Sequence, residues 1–157
     1  MNRGTFLILL GVLSLAVPAH AHRHVKHAKK RAVSFDRQVA LIQHRIDLNA
    51  RHYGSPMSLE TLAEENHMPL SVVDELGDHM SWGQVAVYLA FANQISARNS
   101  NMSPADAIDP ISRERKGGVA WHQIAEEYRV PKPVMLQSLA SSRIARGPTE
   151  TQLARRK

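Results

Sequence analysis

The chain has 157 residues, with 20 Lys and Arg against 14 Asp and Glu, a formal net charge of +6 and no cysteine. That length suits one domain, and the missing cysteines exclude disulfide staples, thiolate metal sites and thiol nucleophiles, so a core must come from packing alone. No Gly-x-Ser-x-Gly elbow occurs, and Gly117-Gly118 lacks the Lys-Ser or Lys-Thr of a phosphate loop, so a non-enzymatic protein is the expectation.

Residues 1–21 carry Arg3, then an apolar run over residues 6–17, then Pro18-Ala19-His20-Ala21. This is the layout of a secretory signal peptide cut after Ala21, and the apolar run is short for a retained membrane anchor. The expectation is a periplasmic or secreted protein that starts at His22. Cleavage there would create a candidate metal site: the free amine of His22, two deprotonatable amides and the imidazole of His24 form the square-planar nitrogen set that Cu(II) and Ni(II) prefer. His27, or the His22 imidazole, could add an outer ligand.

Residues 22–33 read as a His-rich basic arm, expected to be disordered, with Arg23, Lys26, Lys29, Lys30 and Arg31 and no acid. A second cationic stretch, residues 143–157, holds Arg143, Arg146, Arg155, Arg156 and Lys157 against Glu150 alone. The stretch between is slightly acidic. Lys26, Lys29, Lys30, Arg31, Arg155, Arg156 and Lys157 are therefore the expected contacts to an anionic partner such as lipid headgroups, lipopolysaccharide phosphates or nucleic acid.

Residues 34–145 read as a single helical domain, followed by a basic tail over residues 146–157. Ser34 starts a helix with Phe35, Val39, Ile42, Ile46 and Tyr53 on one stripe, and Gly54-Ser55-Pro56 ends it. Ser58 caps a short helix with Leu59, Leu62 and Ala63; after Met68-Pro69 another carries Leu70, Val73 and Leu76 and closes at Gly77-Asp78. Residues 81–95, SWGQVAVYLAFANQI, are apolar or small on all sides, which marks a buried helix. Ser81 and Gln84 form a capping box, and about four turns are too short to cross a bilayer. Ser103-Pro104 starts the next helix, which Asp109-Pro110 is expected to kink or split. Gly117-Gly118 frees the chain to turn into a helix with Trp121, Ile124, Ala125 and Tyr128; after Pro131-Lys132-Pro133 a last helix runs over about residues 134–144. No run alternates with period two. The expected fold is all-α, six or seven short helices around a central buried helix at about residues 81–97, with Trp82, Val85, Leu89, Trp121, Ile124 and Tyr128 in the core.

The chain echoes itself twice. LAEENHMPLSVV (residues 62–73) parallels IAEEYRVPKPVM (residues 124–135), and Trp82-Gly83-Gln84-Val85-Ala86 parallels Trp121-His122-Gln123-Ile124-Ala125. The echoes share no period, which argues against a solenoid. The first resembles the helix-turn-helix unit of DNA-binding proteins, a likeness that implies a second helix able to enter the major groove. It departs from that pattern at His67 and Arg129, where Gly is expected in the turn. The first second-helix carries Leu70, Ser71, Asp74 and Glu75, whose acids repel phosphate; the other carries Lys132, Gln137, Ser138 and Arg143. Export weighs against both, so nucleic-acid binding stands as an alternative that requires residues 1–21 to be retained. The paired Trp-x-x-(Val/Ile)-Ala segments behind a signal peptide also resemble small secreted bacterial helical proteins of unassigned function, which implies an exported helical domain and no chemistry.

Other polar pairs read as structural: His122 and Glu126, four apart, as a surface pair, and Asp78-His79 as turn and capping residues. The whole reads as an exported, non-enzymatic binding protein with an unspecified protein or anionic envelope partner, a membrane surface among the candidates. Periplasmic Cu(II) or Ni(II) binding through His22, His24 and His27 is the first alternative.

Overall fold

The structure, a computed structural model, describes residues 33–146. It comprises α1 (Phe35–Tyr53), α2 (Leu59–Glu65), α3 (Leu70–His79), α4 (Trp82–Ser96), α5 (Pro104–Lys116), α6 (Trp121–Glu127), α7 (Lys132–Ser141) and α8 (Arg143–Arg146), with no strand among the described residues. Among the described residues there are eight helices where six or seven were expected, because the last splits at Ser142. Its hydroxyl donates to the Leu139 carbonyl at 2.8 Å and accepts the Ala145 N–H at 3.3 Å, which closes α7 and caps the single turn of α8.

The chain is organised around α4. Its residues from Val85 to Ala92 are all buried, and it packs chiefly on α5 and α1, then on α7, α8 and α3. Ser81 supplies the cap: its hydroxyl accepts the Gln84 N–H at 3.3 Å while the Gln84 side chain accepts the Ser81 N–H at 2.9 Å. Gly83 lies where α4 meets α1. A Cβ there would stand 2.3 Å from the Gln43 carbonyl oxygen, so only glycine permits the approach.

Two helical boundaries differ from expectation. α5 passes through Pro110 without a break; Ala107, Ile108 and Ile111 are buried in the core and the Ser103–Asp106 capping box holds the start, which offsets the missing hydrogen bond. α3 continues past Gly77-Asp78 to His79: Val73 and Leu76 anchor the helix in the core, and the exposed Gly77 is carried within it. Gly54 does end α1 in the left-handed region, at φ 83°, and leaves the neighbouring Tyr53 39% exposed instead of on the buried stripe.

Val85, Leu89, Trp121 and Ile124 are buried, whereas Trp82 and Tyr128 pack against the core half-buried. Both lie at ends of helices, where one side of the ring has no neighbouring turn to cover it.

Candidate functional site

Sequence reading missed the pair of carboxylates that seats the two Trp-containing helices. Asp36 and Asp47 stand eleven residues apart on α1, about three turns, and so on the same flank. Asp47 Oδ1 accepts the Gly83 N–H at 2.6 Å and its Oδ2 accepts the Ser81 hydroxyl at 3.0 Å. Asp36 Oδ1 accepts the His122 N–H at 3.1 Å, and its Oδ2 pairs with His122 Nδ1 at 2.6 Å. Gly83 and His122 are the equivalent second residues of α4 and α6, so each repeated segment begins against a carboxylate of α1. Negative charge at a helix start, accepting orphan amides, is favourable on both counts. Gln123 repeats the role of Gln84, its side chain accepting the Ala120 N–H at 2.9 Å. The shared Trp-x-Gln-(Val/Ile)-Ala pattern thus encodes a docking end. The signal lay in the eleven-residue spacing of Asp36 and Asp47, far from the echo itself.

The hydrogen-bond partner of the His122 ring is thus Asp36, not the Glu126 four residues on. Glu126 instead accepts from Lys132 at 2.6 Å, and that hydrogen bond and charge hold its carboxyl below the usual range.

The two echoed segments share the geometry of their turns. His67 and Arg129, at φ 53° and 54°, adopt the left-handed conformation that favours glycine. In each turn the residue that follows donates back to the helix, Met68 N–H to Ala63 carbonyl at 3.0 Å and Val130 N–H to Ala125 carbonyl at 2.7 Å, while His67 and Arg129 bond to Glu64 and Glu126 at 3.2 and 3.1 Å. This is the Schellman ending, with buried Met68 and Val130 as the plugs. The units differ in packing: α2 and α3 pack on each other, whereas α6 and α7 make their main contacts with α1 and α4. On α3, Asp74 and Glu75 are exposed. On the other unit, Lys132 is held by Glu126, and Arg143 Nη1 donates to Glu65 at 2.5 Å.

The two tryptophans have different surroundings. Trp121 is 8% exposed, stacks on Phe91 at 4.7 Å, meets Tyr88 edge-on at 5.5 Å, and has the Arg115 guanidinium carbon 4.5 Å from its ring centroid. Trp82 separates two hollows, one of about 350 Å³ with Met57, Leu59 and Met80, the other of about 210 Å³ with Asp47 and Arg51. The Tyr128 hydroxyl donates to Glu114 Oε1 at 2.8 Å, while Glu114 Oε2 is buried with no hydrogen-bond partner among the described residues. Burial first, then the Glu114 hydrogen bond and charge, push the Tyr128 phenol up to about 12.

Two further clefts lie among the described residues. One of about 280 Å³ lies against Asn66, Asn93, Ser138 and Ser142, where Asn93 donates to Asn66 at 2.7 Å. The other, about 530 Å³, runs between α3 and α5, with Leu76, Met80 and Ile108 beneath Glu75, Asp109 and His79. Among the described residues no three His, Asp or Glu side chains converge to hold a metal ion. His22, His24, His27, Lys26, Lys29, Lys30, Arg31, Arg155, Arg156 and Lys157 lie outside the described residues. No family model, curated protein or solved structure matches the chain.

Proposed function

We propose that this is an exported, non-enzymatic binding protein of the bacterial envelope, whose basic arms hold it to an anionic surface or partner. One observation carries the reading: the separation of charge along the chain. Residues 22–33 hold five cations and no acid, residues 59–79 hold six acids and no Lys or Arg, and residues 146–157 hold four cations against Glu150. A cation near an anionic bilayer contributes about 1 kcal/mol, so five in one arm suffice for measurable binding. Against nucleic acid stand the exposed acids of α3 and the engagement of Lys132 and Arg143 by Glu126 and Glu65.

The test is co-sedimentation of the chain beginning at His22 with vesicles that contain phosphatidylglycerol. Binding should weaken steeply as salt rises from about 50 to about 200 mM, because screening shortens the reach of exposed charges. Replacing Lys26, Lys29, Lys30 and Arg31 together by Gln should weaken it by more than about tenfold. Equal binding to uncharged phosphatidylcholine vesicles would remove the proposal. Intact mass of the protein taken from the periplasm tests export directly, since it fixes the first residue.

A second reading rests on His22-Arg23-His24. If export exposes that amino terminus, it takes up Cu(II) or Ni(II) through four nitrogens, with an affinity that falls as protons compete at low pH. Calorimetry of the mature chain against its His24→Ala variant tests this, and equal affinity in both would end it.

A further inference from the structure

The outer side of α1 has a composition that its sequence conceals. Read along the chain, α1 has three arginines and two acids, close to balance. In the fold, both acids turn to the flank and are spent as caps, Asp47 on α4 and Asp36 on α6. Phe35, Val39 and Ile46 face the core. The remaining side therefore holds no acid.

At 3.6 residues per turn, Leu41 and Leu48 stack along the middle of that side. Arg37, His44 and Arg51 lie along one edge; Arg45 and His52 lie along the other. Leu41 is 58% and Leu48 48% exposed, the two most exposed large apolar side chains among the described residues. Arg37, Arg45 and Arg51 are all exposed, and none enters an ion pair among the described residues.

We propose that this face of α1 is a membrane-docking surface, which lays Leu41 and Leu48 into the headgroup region of a bilayer rich in anionic phospholipid while Arg37, Arg45 and Arg51 sit over the phosphates. The inference rests on the reading that the protein meets an anionic surface, and adds the part of the folded body that does so. Charge complementarity selects the occupant: a stripe of leucine edged by cations, without acids, is the pattern of a helix lying in a bilayer interface. Two leucines are too small a patch for a stable protein interface, which takes on the order of 800 Å² per partner. They would also be idle on nucleic acid, where phosphate contacts come from cations and polar groups. In sequence, the acid-free stretch over residues 23–33 runs directly into this helix at Ser34.

The chain has no cysteine, so a single introduced thiol reports one place. The mature chain with Leu48→Cys, labelled with an environment-sensitive nitrobenzoxadiazole dye, is mixed with vesicles of phosphatidylglycerol and phosphatidylcholine in equal parts. A blue shift and rise in emission are expected, absent with phosphatidylcholine alone and absent when the dye sits at Asp74→Cys on α3. Leu41→Ser with Leu48→Ser should lower partition to the anionic vesicles by roughly tenfold, a modest share of the burial energy of two leucines. Circular dichroism checks that this variant stays folded.

Should the serine variant partition like its parent while the dye at residue 48 stays silent, the face is idle and the arms alone make the contact; the inference falls and the broader reading survives. No partition by the parent at about 50 mM salt removes both. A dimer of the parent that the serine substitutions convert to monomer would assign the face to a second copy instead, and would also overturn the inference.

Discussion

Trp121 joins three elements through one ring. It stacks on Phe91 and meets Tyr88 from α4 while the Arg115 guanidinium of α5 lies close to it, so truncation would open a cavity that no single helix could close. Trp121→Ala is expected to cost about 3 to 5 kcal/mol, measured by urea unfolding. Trp82→Ala should cost clearly less, since its ring already borders two hollows. Tyr128 makes a different case. An unfolded tyrosine ionises near pH 10, and the folded one near 12. The phenol's contribution to stability is therefore complete below about pH 10 and is lost as pH rises towards about 12, because the unfolded chain releases its proton first. Tyr128→Phe should cost about 1 to 3 kcal/mol at neutral pH, since it leaves Glu114 without its donor. It should also reduce the loss of stability between pH 9 and pH 11; an unchanged pH profile would mean that the phenol is not so held.

At the scale of elements, contact between α1 and the starts of α4 and α6 decides the arrangement. Gly83→Ala forces a Cβ against the Gln43 carbonyl and is expected to destabilise by about 3 kcal/mol, with the melting temperature as readout. The turns offer the opposite test. His67 and Arg129 hold left-handed backbone that costs a non-glycine residue energy, so Arg129→Gly should stabilise by about 0.5 to 1 kcal/mol after glycine's greater freedom in the unfolded chain is counted. A fall in stability would show that the Arg129 side chain matters more than its backbone. These elements also mark how far sequence reading reached. Ser34, Ser58, Ser81 and Ser103 announce four helix starts because a cap is a local interaction of residues three apart. Pro110 and Gly77 misled because local preference was overruled by burial of the adjacent Ile111 and Leu76. The pairing of Asp36 with His122 spans 86 residues, and periodicity carries no information at that range.

For the molecule as a whole, a net charge of +6 says less than its placement. Acids used as caps inside the fold no longer offset the cations outside it, which is how α1 acquires a cationic outer side. Adhesion to anionic vesicles should accordingly rise as salt is lowered, and should respond separately to the arm at residues 22–33 and to Leu41 and Leu48. By itself the sequence determined that the chain is helical and that residues 81–95 form its buried centre, because a helix apolar all round has nowhere else to go. It also determined that the fold has no disulfides. Only the tertiary structure decided which side of α1 stays open, which carboxylates serve the two Trp-x-Gln segments, and which tryptophan is enclosed. Those outcomes depend on residues brought together from distant parts of the chain, where spacing along the sequence no longer measures distance in space.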